Sequence, residues 1–360
     1  MQRSGRDGVE KLGPGAYNSL PQGFKTEGDM ERLGFCIIGC GGIAHLHAEG
    51  ASSCEGVDLY GCDIDIKRAE ELMGEFGGKG VFRDYEEVLR REEIRIVDIC
   101  LPHHLHREVA VAALEAGKHV LLEKPIASTL KEADDIIEAA RRAKERFGTK
   151  FMVAECWRFY PPAVKAAQLI EEGVLGEPFL VQANTFAYYV PSGWRRKLDE
   201  MGGGAFLDRG IHFVHMTIWL GGGDVEAVFA RTTHRTVREM EGEDSGFAMI
   251  DFKSGVVGQV NVSWGTISPP RLPNIAVYGS EGTVYDLDGL YLAVKGREPV
   301  KVEESRLEPW MIPEEVRHFI GCVRTGAEPA VTGEMARLDL EVVLAAYESA
   351  RTGERVTLPL

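Results

Sequence analysis

Gly39-Cys40-Gly41-Gly42-Ile43-Ala44 directly follows the apolar run Leu33–Ile38 and directly precedes a helix-like stretch. The pattern G-x-G-x-x-A in a strand–turn–helix setting reads as the phosphate-binding turn of a dinucleotide fold. Gly39 permits the tight turn, Gly41 lets the backbone approach a pyrophosphate, and Ala44 allows close packing of helix on strand. Gly42 and Ile43 lead into the helix, whose N-terminal amides and dipole favour an anion. Asp63 lies 24 residues after Gly39, at the end of the next apolar run, Val57–Cys62. A carboxylate there accepts both ribose hydroxyls of NAD and repels the 2′-phosphate of NADP, so the expected cofactor is NAD. Arg68 is close enough in sequence to reach toward a phosphate.

Outward from this turn, apolar runs alternate with helical patterns. The runs Ile96–Cys100, His119–Leu122 and Phe151–Ala154 interleave with Lys67–Phe76, Arg107–Ala116 and Lys131–Phe147. That alternation predicts βαβ units and a parallel sheet, with ligands beyond the carboxyl ends of the strands. After Gly176 the character changes to strands: Phe179–Ala187, Ala227–Thr233, Ser245–Phe252, Val256–Trp264 and Asn274–Tyr278, with one helix-like stretch, Ala205–Leu220. Val260, Val262 and Trp264 share one face of their strand, and Gln259, Asn261 and Ser263 the other. Such alternation predicts an antiparallel sheet with one covered and one open side. Pro313–Arg324 and Met335–Thr352 read as helices, and the fold class is α/β.

The 360 residues suffice for two domains. A formal net charge of −15 argues against a nucleic-acid partner, which needs a basic surface. No 18-residue apolar run predicts a membrane span, and the first 32 residues, with six glycines, lack a signal-peptide core and read as a flexible arm. Seven cysteines without a C-x-x-C pair suit a reducing cytoplasm and predict no zinc or other metal site.

Two further constellations carry chemistry. In Gly117–Pro125, Glu123 and Lys124 fall at the carboxyl end of a strand, where a nucleotide edge lies. A lysine there can hold a substrate hydroxyl or exchange a proton with it. In Gly202–His215, a triple glycine feeds a helix on which Asp208 and His212 share a face at i, i+4. Histidine suits proton transfer near neutral pH, and Asp208 can bind a neighbouring hydroxyl or stabilise the imidazolium.

Taken together, the Gly39–Ala44 turn, Glu123-Lys124-Pro125, the Gly-Gly-Gly…Asp208-x-Gly210-x-His212 segment and the ending Tyr347-Glu348-Ser349-Ala350-Arg351-Thr352-Gly353 resemble the Gfo/Idh/MocA oxidoreductases, the glucose–fructose oxidoreductase and inositol dehydrogenase group. The resemblance runs from about Leu33 to Leu360. It implies a Rossmann domain over 33–155, and over 156–360 a substrate-binding and oligomerisation α/β domain with a large, open-faced, mainly antiparallel sheet, its last helices packing back on the first domain. Lys124, His212 and Asp208 correspond to the family's catalytic residues, and Glu123 to a residue near the nicotinamide ribose. Leu101-Pro102-His103-His104-Leu105-His106 resembles a loop along which the cofactor passes, with Leu101 and His103 departing from its usual pattern. Trp157 and Arg158 resemble a segment lining the nicotinamide pocket, and Trp194 and Arg195 one on the substrate side. His47, His119 and His215 are expected to be structural. The implied activity is hydride transfer between NAD and a secondary hydroxyl of a sugar, cyclitol or derivative. The alternatives are an NAD-retaining glycoside-cleaving enzyme and a non-catalytic ligand-sensing NAD binder. A homodimer or homotetramer on the open sheet face is implied as well.

Overall fold

Register, more than strand length, puts the site together. The computed structural model describes residues 32–305 and 310–360, so the arm read over the first 32 residues lies, Arg32 apart, outside the described residues. Six strands, β1 (Leu33–Ile38), β2 (Val57–Cys62), β3 (Gly80–Phe82), β4 (Ile94–Ile99), β5 (His119–Glu123) and β6 (Phe151–Ala154), form a sheet in the order β3-β2-β1-β4-β5-β6. Every pairing is parallel. Helices α1 (Ala44–Ser52), α2 (Ile66–Phe76), α3 (Tyr85–Leu89), α4 (His106–Glu115) and α5 (Leu130–Phe147) make the crossovers. β1 is buried at every position, as a strand covered on both faces must be. The strand order reverses between β1 and β4, which opens a crevice at their carboxyl ends.

The second sheet has nine strands. They are β7 (Pro178–Phe186), β8 (Val225–Thr233), β9 (Ser245–Phe252), β10 (Val257–Ser263), β11 (Ile275–Gly279), β12 (Gly282–Asp286), β13 (Gly289–Val294), β14 (Val300–Glu304) and β15 (Val356–Thr357), ordered β14-β13-β12-β11-β7-β10-β9-β8-β15. Only β10 with β7 is parallel among these pairings. β3, β12, β13, β14 and β15 are not in the sequence reading, because short strands between turns leave too little alternation to detect. α6 (Pro161–Glu171) is also absent from it: Pro161 and Pro162 look like a break, yet proline is tolerated in a first helical turn.

The helix expected over Ala205–Leu220 divides at Arg209 into α8 (Ala205–Asp208) and α9 (Gly210–Gly221), after the short α7 (Leu198–Met201). α9 is buried almost throughout and lies on β7 and β10. α10 (Ile312–Thr325) returns to pack on α1, so closely that a Cβ at Gly50 would come within 2.8 Å of the Val316 Cβ. α11 (Gly333–Thr352) packs on α5, α9 and β8. No helix among the described residues is long and apolar enough to cross a membrane.

On the inner face of the second sheet Val260, Val262 and Trp264 are buried, as their alternation predicts. The opposite face is less polar than expected. Ser263 is buried, with its hydroxyl on that of Ser245 at 2.8 Å, and Phe229, Phe247 and Met249 stand exposed on β8 and β9. Next to them runs a ladder of amides: Gln182 donates to Gln259 at 2.8 Å, Asn261 to Asn184 at 2.9 Å, and the Tyr278 hydroxyl to Gln182 at 2.9 Å.

Candidate active site

The parallel register of β1 with β2 sets Ile38 beside Cys62, so Gly39 and Asp63, the next residues along each chain, meet at one crevice edge. The Gly39 amide donates to the Cys62 carbonyl at 2.8 Å, and the Cys40 amide to Asp63 Oδ2 at 2.9 Å. Gly39 has φ +97°, and a Cβ there would strike the Cys100 carbonyl after β4, so only glycine fits. At Gly41 and Gly42 a Cβ would meet nothing within 4 Å. That open ground lies at the N-terminal end of α1, where the helix dipole favours an anion, and it fits the pyrophosphate of a dinucleotide.

A cavity of about 560 Å³ extends from Gly41, Gly42 and Ile43 to the second sheet. Register again explains its floor. Glu123 pairs with Ala154, which brings Lys124 beside Glu155, the first polar residue after β6. Lys124 Nζ donates to the Asp208 carbonyl at 2.7 Å and to its Oδ1 at 3.1 Å. Arg195 Nε donates to Asp208 Oδ2 at 3.1 Å, and His103 Nε2 lies 3.7 Å from Oδ1. Burial alone would raise the Asp208 carboxyl, but Lys124, Arg195 and His103 together hold it far below the usual carboxylate range. His212 Nδ1 meets Glu155 Oε1 at 2.6 Å. Burial lowers the His212 pKa despite the opposing pull of Glu155, while His212 keeps the buried Glu155 ionised. A neutral imidazole giving its Nδ1 proton to an ionised Glu155 leaves Nε2 as an acceptor, and His212 lines the cavity.

A clamp holds the Asp208 segment from behind. Glu243 Oε1 accepts the Phe206 amide at 2.8 Å and the Tyr347 hydroxyl at 2.9 Å. That hydroxyl in turn accepts the Gly204 and Leu207 amides, both at 3.1 Å. With the Glu243 carbonyl, which takes the Ala205 amide at 2.8 Å, these side chains satisfy the N-terminal donors of α8.

Residues 33–151 match a family model described as an oxidoreductase family with an NAD-binding Rossmann fold, and residues 163–285 match the Gfo/Idh/MocA C-terminal domain. The chain belongs to the Gfo/Idh/MocA family. D-apiose dehydrogenase of Paraburkholderia graminis is 28% identical, with 92% of each chain covered. Myo-inositol 2-dehydrogenase of Thermotoga maritima is 28% identical over 89% of this chain and 97% of its own. The solved structure of GenD2 from gentamicin A biosynthesis, in complex with NAD, is 27% identical with a TM-score of 0.80, covering 94% of this chain and 100% of that one.

In this Gfo/Idh/MocA protein the fold gathers Glu123, Lys124, Asp208, His212, Trp194 and Arg195 on one cavity wall, with Leu101 and His103 beside them. Other expected site residues lie elsewhere. His106 turns both ring nitrogens to backbone, Nδ1 to the Pro125 carbonyl at 2.8 Å and Nε2 to that of Leu101 at 2.9 Å, so it braces the loops and does not face the cavity. Arg158 is buried with its guanidinium 3.7 Å over the Trp219 ring, and Trp157 packs on Tyr160 and Phe213; neither lines the cavity, while their neighbour Cys156 does. Arg68 is exposed, 3.6 Å from Asp65. Pro102 only caps the turn at His103–Leu105. His47 bridges Asp98 at 2.8 Å and Glu123 at 3.0 Å, His119 accepts the Lys150 amide, and His215 meets Asp339 at 2.8 Å, all consistent with structural roles.

Glu155 and Glu243 escape the sequence reading, and Tyr347 enters it only as part of the closing motif. Glu155 satisfies the criterion of a polar residue just past a strand, but its partner His212 is 57 positions away and no spacing rule joins them. Glu243 and Tyr347 act on backbone amides and on each other, and the motif that Tyr347 opens gives it no such role. Donor groups brought together by the fold, such as Glu155, Cys156 and His212, also come within metal-ligating distance of one another, which cysteine spacing cannot reveal.

Proposed function

We propose that this protein is an NAD-dependent dehydrogenase acting on a secondary hydroxyl of a sugar, cyclitol or sugar derivative. The observation that carries the reading is the pairing of Lys124 with Asp208 beside the His212–Glu155 dyad in one cavity with the dinucleotide turn. The named relatives, which act on apiose and myo-inositol, support the substrate class. Gly41, Gly42 and Ile43 hold the pyrophosphate and Asp63 the adenosine ribose. Glu123 reaches the nicotinamide ribose, with Leu101 and His103 flanking it. Bound nicotinamide supplies the two-electron acceptor or, in reverse, the donor.

The protein's own residues handle the proton. Lys124, fixed by Asp208, donates a hydrogen bond to the reacting oxygen and orients it. His212 Nε2 accepts the hydroxyl proton, and Glu155 stabilises the imidazolium that forms. All seven cysteines are free thiols, which supports a reducing, cytoplasmic setting. The exposed Phe229, Phe247 and Met249 beside the amide ladder support a homodimer, or a pair of dimers, on the open sheet face.

The test is NADH absorbance across a panel of sugars and cyclitols. Lys124→Ala and His212→Ala are each expected to lower turnover about 10²–10⁴-fold, the usual contribution of acid–base groups, with NADH affinity within a few-fold. Near wild-type turnover in either variant refutes that residue's role.

A further inference from the structure

Arg209 is the residue between Asp208 and the start of α9, the position that the motif Asp208-x-Gly210-x-His212 leaves open. Arg209 lines the cavity, and its guanidinium lies over the Trp310 ring, 4.1 Å from the centroid, with Trp157 and Phe213 about it at 6.0 and 5.9 Å. Nε donates to the Thr185 hydroxyl at 3.2 Å. A guanidinium has five N–H donors, so four remain on Nη1 and Nη2, and among the described residues no side-chain or backbone acceptor takes them. No carboxylate forms an ion pair with Arg209 there, whereas the neighbouring Arg195 is paired with Asp208. Burial lowers the Arg209 pKa to about 10, which leaves it charged at neutral pH.

The cavity wall therefore carries three cations, Lys124, Arg195 and Arg209, against two carboxylates, Glu123 and Asp208. Glu155, ionised behind His212, offsets one of these charges, but it lies outside the cavity lining and none of the three carboxylates pairs with Arg209. Aromatic faces and one hydroxyl do not complete the hydrogen bonding of a half-buried guanidinium, and leaving such donors unpaired in a closed complex is costly. Over the Trp310 ring, with no acceptor on Nη1 or Nη2 among the described residues, Arg209 offers the planar fork that takes two oxygens of one anion.

We propose that Arg209 is the specificity residue for an anionic substrate: a sugar carrying a carboxylate, such as an aldonate or uronate, or a phosphate, whose charged group docks on the Arg209 edge while a ring or chain hydroxyl meets Lys124 and His212. This deepens the dehydrogenase reading and rests on it for the reaction, though not for the binding. Arg209, Lys124 and His212 line the same cavity, so the anionic group and the reacting hydroxyl belong to one small molecule.

The experiment compares D-glucuronate, D-galacturonate, D-gluconate and D-glucose 6-phosphate with D-glucose and D-galactose, by NADH formation and by calorimetric titration into the NADH-bound protein. The acid arms or the phosphate arm are expected to lead the neutral sugars ten- to hundredfold in kcat/KM, and whichever leads identifies the anion. Arg209→Gln should erase that lead through KM, and Arg209→Lys, which keeps the charge but not the fork, should retain part of it. Neutral sugars performing as well as the anions, or a lead that survives Arg209→Gln, overturns the proposal. If nothing is oxidised, the dehydrogenase reading has failed while calorimetry still decides this one: binding of an anionic sugar that is lost in Arg209→Gln upholds it, and binding of none refutes it.

Discussion

In the proposed mechanism, His212 is made a base by what lies behind it. Glu155 fixes the tautomer by accepting the Nδ1 proton, and its charge opposes the burial that lowers the imidazole pKa. Oxidation needs the neutral ring, so the rate should be flat across neutral pH and fall in acid, below the ordinary histidine value of about 6.5. Glu155→Gln removes the charge and can present an amide N–H to Nδ1, turning the proton onto Nε2. We expect kcat to fall about 10²–10⁴-fold, as for a mis-set general base, and the acid limb to move to lower pH because a charge that favoured the imidazolium is gone. A pH–rate profile of the variant decides this. A drop in rate with an unmoved limb would mean that Glu155 only fills space.

At the level of elements, α8 is too short to hold itself, and its hold comes from Glu243 and Tyr347. Burial raises the Glu243 carboxyl to about 7 despite the amides it accepts. Between its ordinary value, near 4.5, and about 7, the native protein keeps a proton that the unfolded chain has lost. Native protein thus binds more protons in that window, and this group makes stability fall as pH rises through it. Glu243→Gln keeps the acceptor and removes the titration, so denaturation midpoints at pH 5 and pH 8 should lie closer together than in the wild type. An unchanged difference would refute the assignment. The same elements mark how far sequence carries. The Gly39–Ala44 turn and the ends of β1, β2 and β6 are legible because turn chemistry and apolar periodicity are local. Lys124 with Asp208, 84 positions apart, becomes a pair only through the packing of one sheet's edge on the other domain's helix. Motif likeness named both residues but could not supply their contact. Arg158 shows the reverse: it follows a site strand, yet the face of Trp219 offers a cation a better home than the cavity does. Glu155 and Arg209 lie between those cases, visible as residue types and silent about their partners.

For the whole molecule, the open sheet sets the expected assembly. Phe229, Phe247 and Met249 stand exposed around Arg231, whose guanidinium lies 5.3 Å from the Phe229 ring centroid, beside amides that already satisfy one another, and a two-fold pairing would cover this face on both copies at once. Light scattering at micromolar concentration is expected to report a dimer or a tetramer, and a 39.7 kDa particle would overturn it. Charge substitution at Phe247 and Met249 should split the assembly while leaving the cavity untouched. The seating of α10 on α1 has a consequence of another kind, in the order of biosynthesis. The two helices come from opposite ends of the chain, and Gly50 leaves no slack between them. During translation α1 and the strands beneath it emerge early, but the surface that α10 covers stays bare until nearly the whole polypeptide has left the ribosome. Such long-range closure is slow and exposes sticky surface meanwhile. The nucleotide-binding half is thus synthesised first and finished last.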